Sequence, residues 1–344
     1  MKKNQISALA LVVFSVMLSS FGFYAYQILY TPNVLVEKDD MFFAIYNNTT
    51  FGELQKQLDD QRIVNDIVSF SFLARIKGFD KEIKPGLYLL KKDMSNSQAI
   101  NLLRSGSQTP VKMTFSTGRK IIDLAPKLTA NLQIDSADIA PFLLSDSVAK
   151  SYGFTPETFI AMFLPNTYEV YWTASPKDIL DRMQKEYDRF WSDERKAKAE
   201  KLGLTPVEVA TVASIVDAET NKMEEAPTIA GVYLNRLEKG YKLQADPTLK
   251  FAMNNFELRR ILNKDKEFDS PYNTYKYAGL PPGPINMPSI AALEAVLNAE
   301  DHRYLYFCAK DDFSGYHVFA KTLQEHNINA AKFQRALNRE RIYR

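Results

Sequence analysis

An α+β fold carried behind a single membrane-spanning helix is what this sequence predicts, and three observations predict it. An uncharged apolar run extends from Ile6 to Tyr30. A compact strand-helix-helix-strand order follows it. From about Pro110 onward, helical segments are interrupted by strand-like aromatic runs. At 344 residues, with about one domain per 150 residues as a guide, the chain holds two folded units besides any anchor. Hydrophobic residues make up 46% and aromatics 12% of the chain, ample for sizeable cores and against disorder. Lys and Arg total 43 against 41 Asp and Glu, a net charge of +2, which lacks the basic footprint of a nucleic-acid binder. Cys308 is the only cysteine, so an internal disulfide and a thiolate zinc cluster are both excluded.

The anchor is assigned to residues 1–32. No charged side chain occurs from Ile6 to Tyr30, and at about 1.5 Å per residue a helix of that length spans the ~30 Å hydrocarbon layer. Lys2 and Lys3 precede the run and the next charge is Glu37. The positive-inside rule then puts the amino terminus in the cytoplasm and everything after Pro32 outside, with Tyr24, Tyr26 and Tyr30 at the outer interface. A cleaved signal peptide is the alternative, but the run exceeds the usual 7 to 15 residues and shows no clear A-x-A site.

Residues 40–108 form the next module. Phe42 to Tyr46 reads as a strand, and Thr50-Phe-Gly-Glu53 is a capping box opening a helix through Leu58. Ile67, Val68, Phe70, Phe72, Leu73 and Ile76 recur at helical spacing between Asp66 and Lys77. Pro85-Gly86 is a turn, Leu87 to Lys91 is again strand-like, and Ser95-Asn-Ser-Gln98 caps a helix that ends at Gly106. The β-α-α-β order is that of a LysM-like module, a type that binds N-acetylglucosamine-containing glycans; small βααβ units also serve as plain structural domains.

The region 110–344 reads as a longer α+β domain. Thr167 to Trp172 and Tyr304 to Cys308 are strand-like. Trp191 to Lys201 is polar and reads as a solvated helix or helix end. Gly279-Leu-Pro-Pro-Gly-Pro284 is a rigid loop too long for a hairpin turn, of the kind that shapes a cleft.

One helix start is sharply marked. Thr205-Pro-Val-Glu208 combines an N-cap, a proline at the first helical position and a reciprocal glutamate, so a helix begins at Pro206. Along it Val209, Val212, Ile215 and Val216 define an apolar face. At about 100° per residue Glu219 falls on that face, whereas Asp217 points away. A carboxyl on an apolar stripe loses hydration, its pKa rises, and it stays protonated near neutrality. That is the requirement for a general acid in glycosidic cleavage. Helical position alone leaves open an ordinary helix-end glutamate that snorkels or meets Arg or Lys.

Several collinear motifs bear on that choice: Val212-Ala-Ser-Ile-Val-Asp-Ala-Glu-Thr220, Ala230-Gly-Val-Tyr-Leu-Asn-Arg-Leu237, Leu243-Gln-Ala-Asp-Pro-Thr248, Tyr272-Asn-Thr-Tyr275, Gly279-Leu-Pro-Pro-Gly-Pro-Ile285, Tyr304-Leu-Tyr-Phe307, His317 and Glu325-His-Asn327. Together they resemble the YceG-like endolytic murein transglycosylases (MltG), and the anchor and LysM-like segment agree with that family. The resemblance implies that Glu219, the second acid of an Ile-Val-acid-x-Glu-Thr pattern, is the catalytic acid. It also implies cuts within nascent glycan strands near the membrane, beside peptidoglycan synthases of the elongation or division machinery. Two positions depart from the family pattern. Asp217 stands where a glutamate is usual, and Asn166 stands where Pro-Asp-Thr-Tyr has an aspartate, which removes a charge.

Gln244 and Asp246 fall in a loop or strand between helices, where hydrogen bonds to sugar hydroxyls are natural; turn-making by Asp246-Pro247 is the alternative. Tyr272 and Tyr275 offer flat apolar faces to sugar rings, or sit in the core, and Asn273 is weighed with them as a substrate contact. Asn235 and Arg236, on a helix ending at Gly240, suit structural hydrogen bonds as well as substrate contact. His317 and His326 lack HExxH spacing and a thiolate neighbour, so no zinc site is expected; they polarise the site or order the last segment. No cofactor is implied. The reaction implied by the resemblance is nonhydrolytic cleavage of the β-1,4 bond between N-acetylmuramic acid and N-acetylglucosamine by one carboxyl. A hydrolase using Asp246 as second carboxylate and a noncatalytic wall-binding scaffold are the competing classes.

Overall fold

Two compact units make up the chain: residues through Lys112 with Asn131–Gln133 and Glu169–Ala174, and the remainder. The computed structural model describes residues 3–35, 40–258 and 261–340. Lys2 and Glu37, two of the charges that bracket the apolar run, lie outside the described residues.

The first unit opens with α1 (Lys3–Tyr30), a continuous helix. Its 26 residues from Gln5 to Tyr30 are long and apolar enough to cross a membrane, and its central apolar window is not buried against protein. Strands β1 (Asp40–Ile45) and β2 (Gly86–Lys91) pair antiparallel, with Phe43 opposite Tyr88 and Ile45 opposite Gly86. Between them lie α2 (Phe51–Asp60) and α3 (Ile67–Ile76), and α4 (Asn96–Ser105) follows. The period of two turns Phe43, Ile45, Tyr88 and Leu90 inward onto Leu54, Leu58, Phe70, Leu73, Ile100 and Leu103. Both expected capping boxes form: Glu53 N–H donates to Thr50 Oγ1 at 3.3 Å while Thr50 N–H donates to Glu53 Oε2 at 2.8 Å, and Ser95 with Gln98 repeats the arrangement. Gly106 ends α4 at φ 74°, a left-handed position that suits glycine.

The helix expected between Asp66 and Lys77 forms as α3, and packing selects one of its faces. Phe70, Leu73 and Ala74 are buried, whereas Val68, Phe72 and Ile76 face outward. Apolar residues fill seven of the ten positions and so reach both faces of the helix, and only one face meets the core.

In the chain order that follows, β3 (Val111–Phe115) pairs with β4 (Asn166–Val170). Three short helices, α5 (Ala125–Thr129), α6 (Ser136–Leu143) and α7 (Asp146–Ser151), lie between these strands. Then come α8 (Pro176–Phe190), α9 (Asp193–Lys201), α10 (Pro206–Glu219), α11 (Ala226–Glu238), α12 (Asp246–Ala252) and α13 (Ile290–Leu297). An antiparallel hairpin of β5 (Tyr306–Ala309) and β6 (His317–Ala320) precedes α14 (Leu323–Arg339). α10 is the hub of the second unit and packs against α11, α12 and α13.

Two expectations change here, and a third is refined. Trp191 is buried edge-on against Phe190 at 5.3 Å, so the solvated helix starts only at Asp193. Gln244 stays in a loop, but Asp246 is the first residue of α12, with Pro247 at a position where its missing N–H costs nothing. The loop Gly279–Pro284 does line a cavity, one of about 570 Å³ bordered by Leu280 and Pro282, but not the one that holds Glu219. It lies so close to residue 157 that a Cβ on Gly283 would meet the Glu157 carbonyl oxygen at 2.3 Å. The residues after it tie to α10, Ile285 N–H donating to Ser214 Oγ at 3.0 Å and Asn286 Nδ2 donating to the Ser214 carbonyl at 2.8 Å.

Candidate active site

The site is built at the carboxy-terminal end of α10. The helix starts as expected, with Glu208 N–H donating to Thr205 Oγ1 and Thr205 N–H to Glu208 Oε2. Every residue from Val209 to Val216 is buried, so the helix is enclosed all round rather than along the single stripe the periodicity suggests. Thr220 leaves the helix in extended geometry (φ −140°, ψ 143°), which makes Glu219 the last helical residue and aims its carboxyl into a cavity of about 720 Å³. Asp217 does point elsewhere, into a second cavity of about 520 Å³, where Ser289 Oγ donates to its Oδ1 at 2.6 Å.

Burial pushes the Glu219 pKa up to about 7. The Tyr233 hydroxyl, which donates to Glu219 Oε1 at 2.7 Å, opposes that rise by favouring the charged form. The charge of Asp246 adds to the rise, and Lys250 opposes it. Burial also raises the pKa of Tyr233, and the neighbouring Glu219 raises it further, so its hydroxyl remains a donor. A carboxyl with this balance is near half protonation at neutral pH, as an acid that must give and retake a proton requires.

Around Glu219 the cavity collects Gln244, Asp246, Tyr275, Arg236, His317 and His326. The Tyr275 hydroxyl donates to Asp246 Oδ1, and Lys266 Nζ lies 4.8 Å from the centre of the Tyr275 ring. Gln244 is exposed to the cavity at φ 53°. Arg236 is nearly buried, and carbonyls satisfy it: Nε donates to Leu305 O at 2.6 Å, and Nη1 to Lys242 O at 3.0 Å and Leu243 O at 2.8 Å. Its other Nη1 contact, Gln244 Oε1 at 3.3 Å, couples it to a cavity-facing side chain. His317 Nδ1 meets Glu225 Oε1 at 2.6 Å, and Thr220 Oγ1 donates to the same oxygen at 2.8 Å. The residue after Glu219 is thereby tied to the ring of His317. His326 stacks on Tyr306 with ring centres 5.5 Å apart, and burial holds its pKa below the usual histidine range.

Other expected site residues are absent from this cavity. Asn273 is fully buried, its Nδ2 donating to Lys266 O at 2.9 Å and Phe268 O at 2.7 Å and its Oδ1 accepting from Tyr275 N–H at 3.0 Å. Its amide therefore shapes the loop that carries Tyr275 and has no face left for a sugar. Tyr272 packs on Phe251 at 4.8 Å and does not line the cavity. Asn235 spends Nδ2 on the carbonyls of His302 at 2.8 Å and Tyr304 at 3.0 Å. Asn166 is exposed on β4 and contacts its own chain neighbour, Thr167.

Sequence reasoning missed Tyr233, Lys250 and Glu225. Tyr233 had a usable signal, since a phenol among the buried Ile229, Ala230 and Val232 of α11 must find a hydrogen-bond partner. Glu225 had none, because its partner lies 92 residues away. Among the described residues no group of three or more His, Cys, Asp or Glu side chains is arranged to hold a metal ion.

The comparisons with known proteins bear on this geometry. The model of the YceG-like family matches residues 43–332. An endolytic murein transglycosylase of Streptococcus pneumoniae serotype 2 (strain D39 / NCTC 7466) is 28% identical over 94% of this chain, and the chain spans 64% of that relative's length. An endolytic murein transglycosylase of Bacillus subtilis (strain 168) is 28% identical over 87% of each chain. A crystal structure of a yceG-like protein from Listeria monocytogenes is 29% identical with a TM-score of 0.54, covering 85% of this chain and 99% of that one. With the family model matching well over half of its length, the chain belongs to the YceG-like family.

Proposed function

We propose that this chain is a membrane-anchored lytic transglycosylase that cuts peptidoglycan glycan strands internally, with Glu219 as its single acid and base. The relatives named endolytic murein transglycosylases support the substrate class. The observation that carries the chemistry is the Glu219 carboxyl, half-buried at the wall of a large polar cavity and raised to a pKa of about 7. In the proposed reaction protonated Glu219 gives its proton to the glycosidic oxygen between N-acetylmuramic acid and N-acetylglucosamine. The C1–O bond breaks with oxocarbenium-like charge at C1. The muramyl 6-hydroxyl oxygen then bonds to C1, and its proton returns to Glu219, which closes a 1,6-anhydro ring without water. Gln244, Asp246 and Tyr275 present the polar and aromatic contacts that would hold the strand, and Arg236 fixes Gln244. His317 and His326 border the same space.

The proposed division of labour follows the chain. Residues 1–32 anchor it in the bacterial inner membrane with the amino end in the cytoplasm. Residues 40–108 act as a LysM-like module toward the glycan, and 110–344 carry catalysis on the periplasmic side, beside peptidoglycan synthases.

A hydrolytic muramidase is the second reading, favoured by Asp246, a carboxylate that shares the cavity and acts electrostatically on Glu219. Digestion of peptidoglycan in ¹⁸O-water separates the two. The transglycosylase reading expects unlabelled 1,6-anhydro-N-acetylmuramic acid ends; labelled reducing ends would overturn it in favour of the hydrolase.

A further inference from the structure

The chain leaves α1 without a flexible linker. Ile28 and Leu29, in the last turn of the helix, pack against the core of the module that follows. Asn33 and Val34 N–H groups both donate to the Met94 carbonyl at 3.0 Å, and Leu35 N–H donates to the Ile63 carbonyl at 2.9 Å. Asn96 closes the joint: its Nδ2 donates to the Ile28 carbonyl at 3.2 Å and to Ser69 Oγ at 3.1 Å, so one side chain bridges the end of α1 and the first turns of α3. α3 is therefore held where the membrane helix ends.

α3 also carries apolar side chains on the face turned away from the core. Val68, Phe72 and Ile76 are 75%, 56% and 64% exposed. Their spacing of four residues runs along the whole helix, about 15 Å at 1.5 Å per residue. Residues this apolar and this exposed, in line on one face, mark a surface that meets something other than water. Charges of both signs border them: the Asp66 carboxylate accepts from Val68 N–H at 2.9 Å at the start of the helix, and the basic residues lie toward its end. Arg75 is exposed on the same helix, whereas Lys77 after it spends its ammonium on Ser97 Oγ and Asn101 Oδ1, both at 2.8 Å. Exposed apolar side chains with one exposed Arg among them suit the boundary between acyl chains and headgroups, where the long basic side chain reaches back to phosphate.

We propose that the outer face of α3 lies in the headgroup layer of the membrane that α1 crosses, so that the module is seated on the bilayer. This rests on α1 being a membrane span. The seat would fix the module's orientation at the surface through a second contact besides the anchor.

The test uses the full-length chain with Cys308→Ser and single cysteines at Val68, Phe72 or Ile76, each carrying an environment-sensitive fluorophore. Leu18 in α1 and Asn47 in the exposed turn after β1 serve as references. The labelled proteins are reconstituted into vesicles of phosphatidylethanolamine and phosphatidylglycerol. All three α3 labels should emit to the blue of the Asn47 label and be quenched by lipids bearing a nitroxide near the headgroup. Emission and iodide access equal to those at Asn47, with Leu18 deeply immersed, would overturn the seat and leave the anchor standing. If Leu18 also reads as water-exposed, anchor and seat both fall. Protection from iodide without quenching by nitroxide lipid would mean a protein contact and would equally overturn the proposal. These residues are exposed, so their substitution leaves the core of the module untouched.

Discussion

Two acids stand two residues apart at the end of α10, yet they face different cavities and different fates. Glu219 lies in the larger cavity with the Tyr233 hydroxyl on its Oε1, and burial lifts its pKa to about 7. Asp217 lies in the smaller one among Arg119, Lys127 and Lys250, where burial also raises its pKa and the hydrogen bond from Ser289 opposes the rise. A rotation of about 200° over two helical residues separates them. The first turn of α12 divides the space further, giving Asp246 to one cavity and Pro247 and Lys250 to the other. Neighbouring acids on a helix thus need not form a pair; the fold decides which cavity each one faces.

The sharpest break of this comparison is by substitution. Glu219→Gln should lower glycan cleavage by about 10²- to 10⁴-fold or more, since the ionisable proton is lost at nearly constant volume. Asp217→Asn, in the other cavity, should cost far less. Turnover of muropeptide ends by the two purified variants checks this, and equal losses would mean that the two acids work as a unit.

The same difference should appear in stability. The folded pKa of Glu219 lies above its ordinary value of 4.5, so the native state holds the proton longer than the unfolded chain. Its contribution is then least unfavourable below about 4.5 and becomes a penalty as pH rises to about 7. A rise of this size corresponds to roughly 3 kcal/mol. Glu219→Gln should be more stable than the parent at pH 8 by up to that amount and close to it at pH 4, as read by denaturant titration at both pH values. An equal gain at both would show that ionisation is not the cause.

A smaller effect probes the partner. Tyr233→Phe removes a hydrogen bond that favours the charged form, so the alkaline limb of the rate profile should move to higher pH by roughly one to two pH units. An unmoved limb would mean that Glu219 does not set it.

How legible all this was depends on how local the determinants are. The start of α10 and both capping boxes of the first unit were readable because each is a contact across three residues. The direction of Glu219 away from Asp217 followed from helical rotation alone. The enclosure of α10 on every side did not, since Ala210, Ala213 and Ser214 read as neutral until α11 and α13 pack over them. α3 was legible as a helix, but the sequence offered two apolar faces and only tertiary packing chose the buried one. Asn273 illustrates a general trap: a polar residue in a motif loop looks like a ligand contact, while its amide is consumed by the backbone of the loop it shapes. Glu225 becomes visible only when β6 is brought to the end of α10, and the partner of Tyr233 only when α11 is.

The most direct test of the central claim follows the Glu219 carboxyl itself. Infrared difference spectra between the parent and Glu219→Gln, recorded from pH 4 to pH 9, should contain one protonated carboxyl band that persists until the pH passes about 7. A band that vanishes near the ordinary glutamate value of 4.5 would contradict the account, because a carboxyl already ionised at neutral pH has no proton to give.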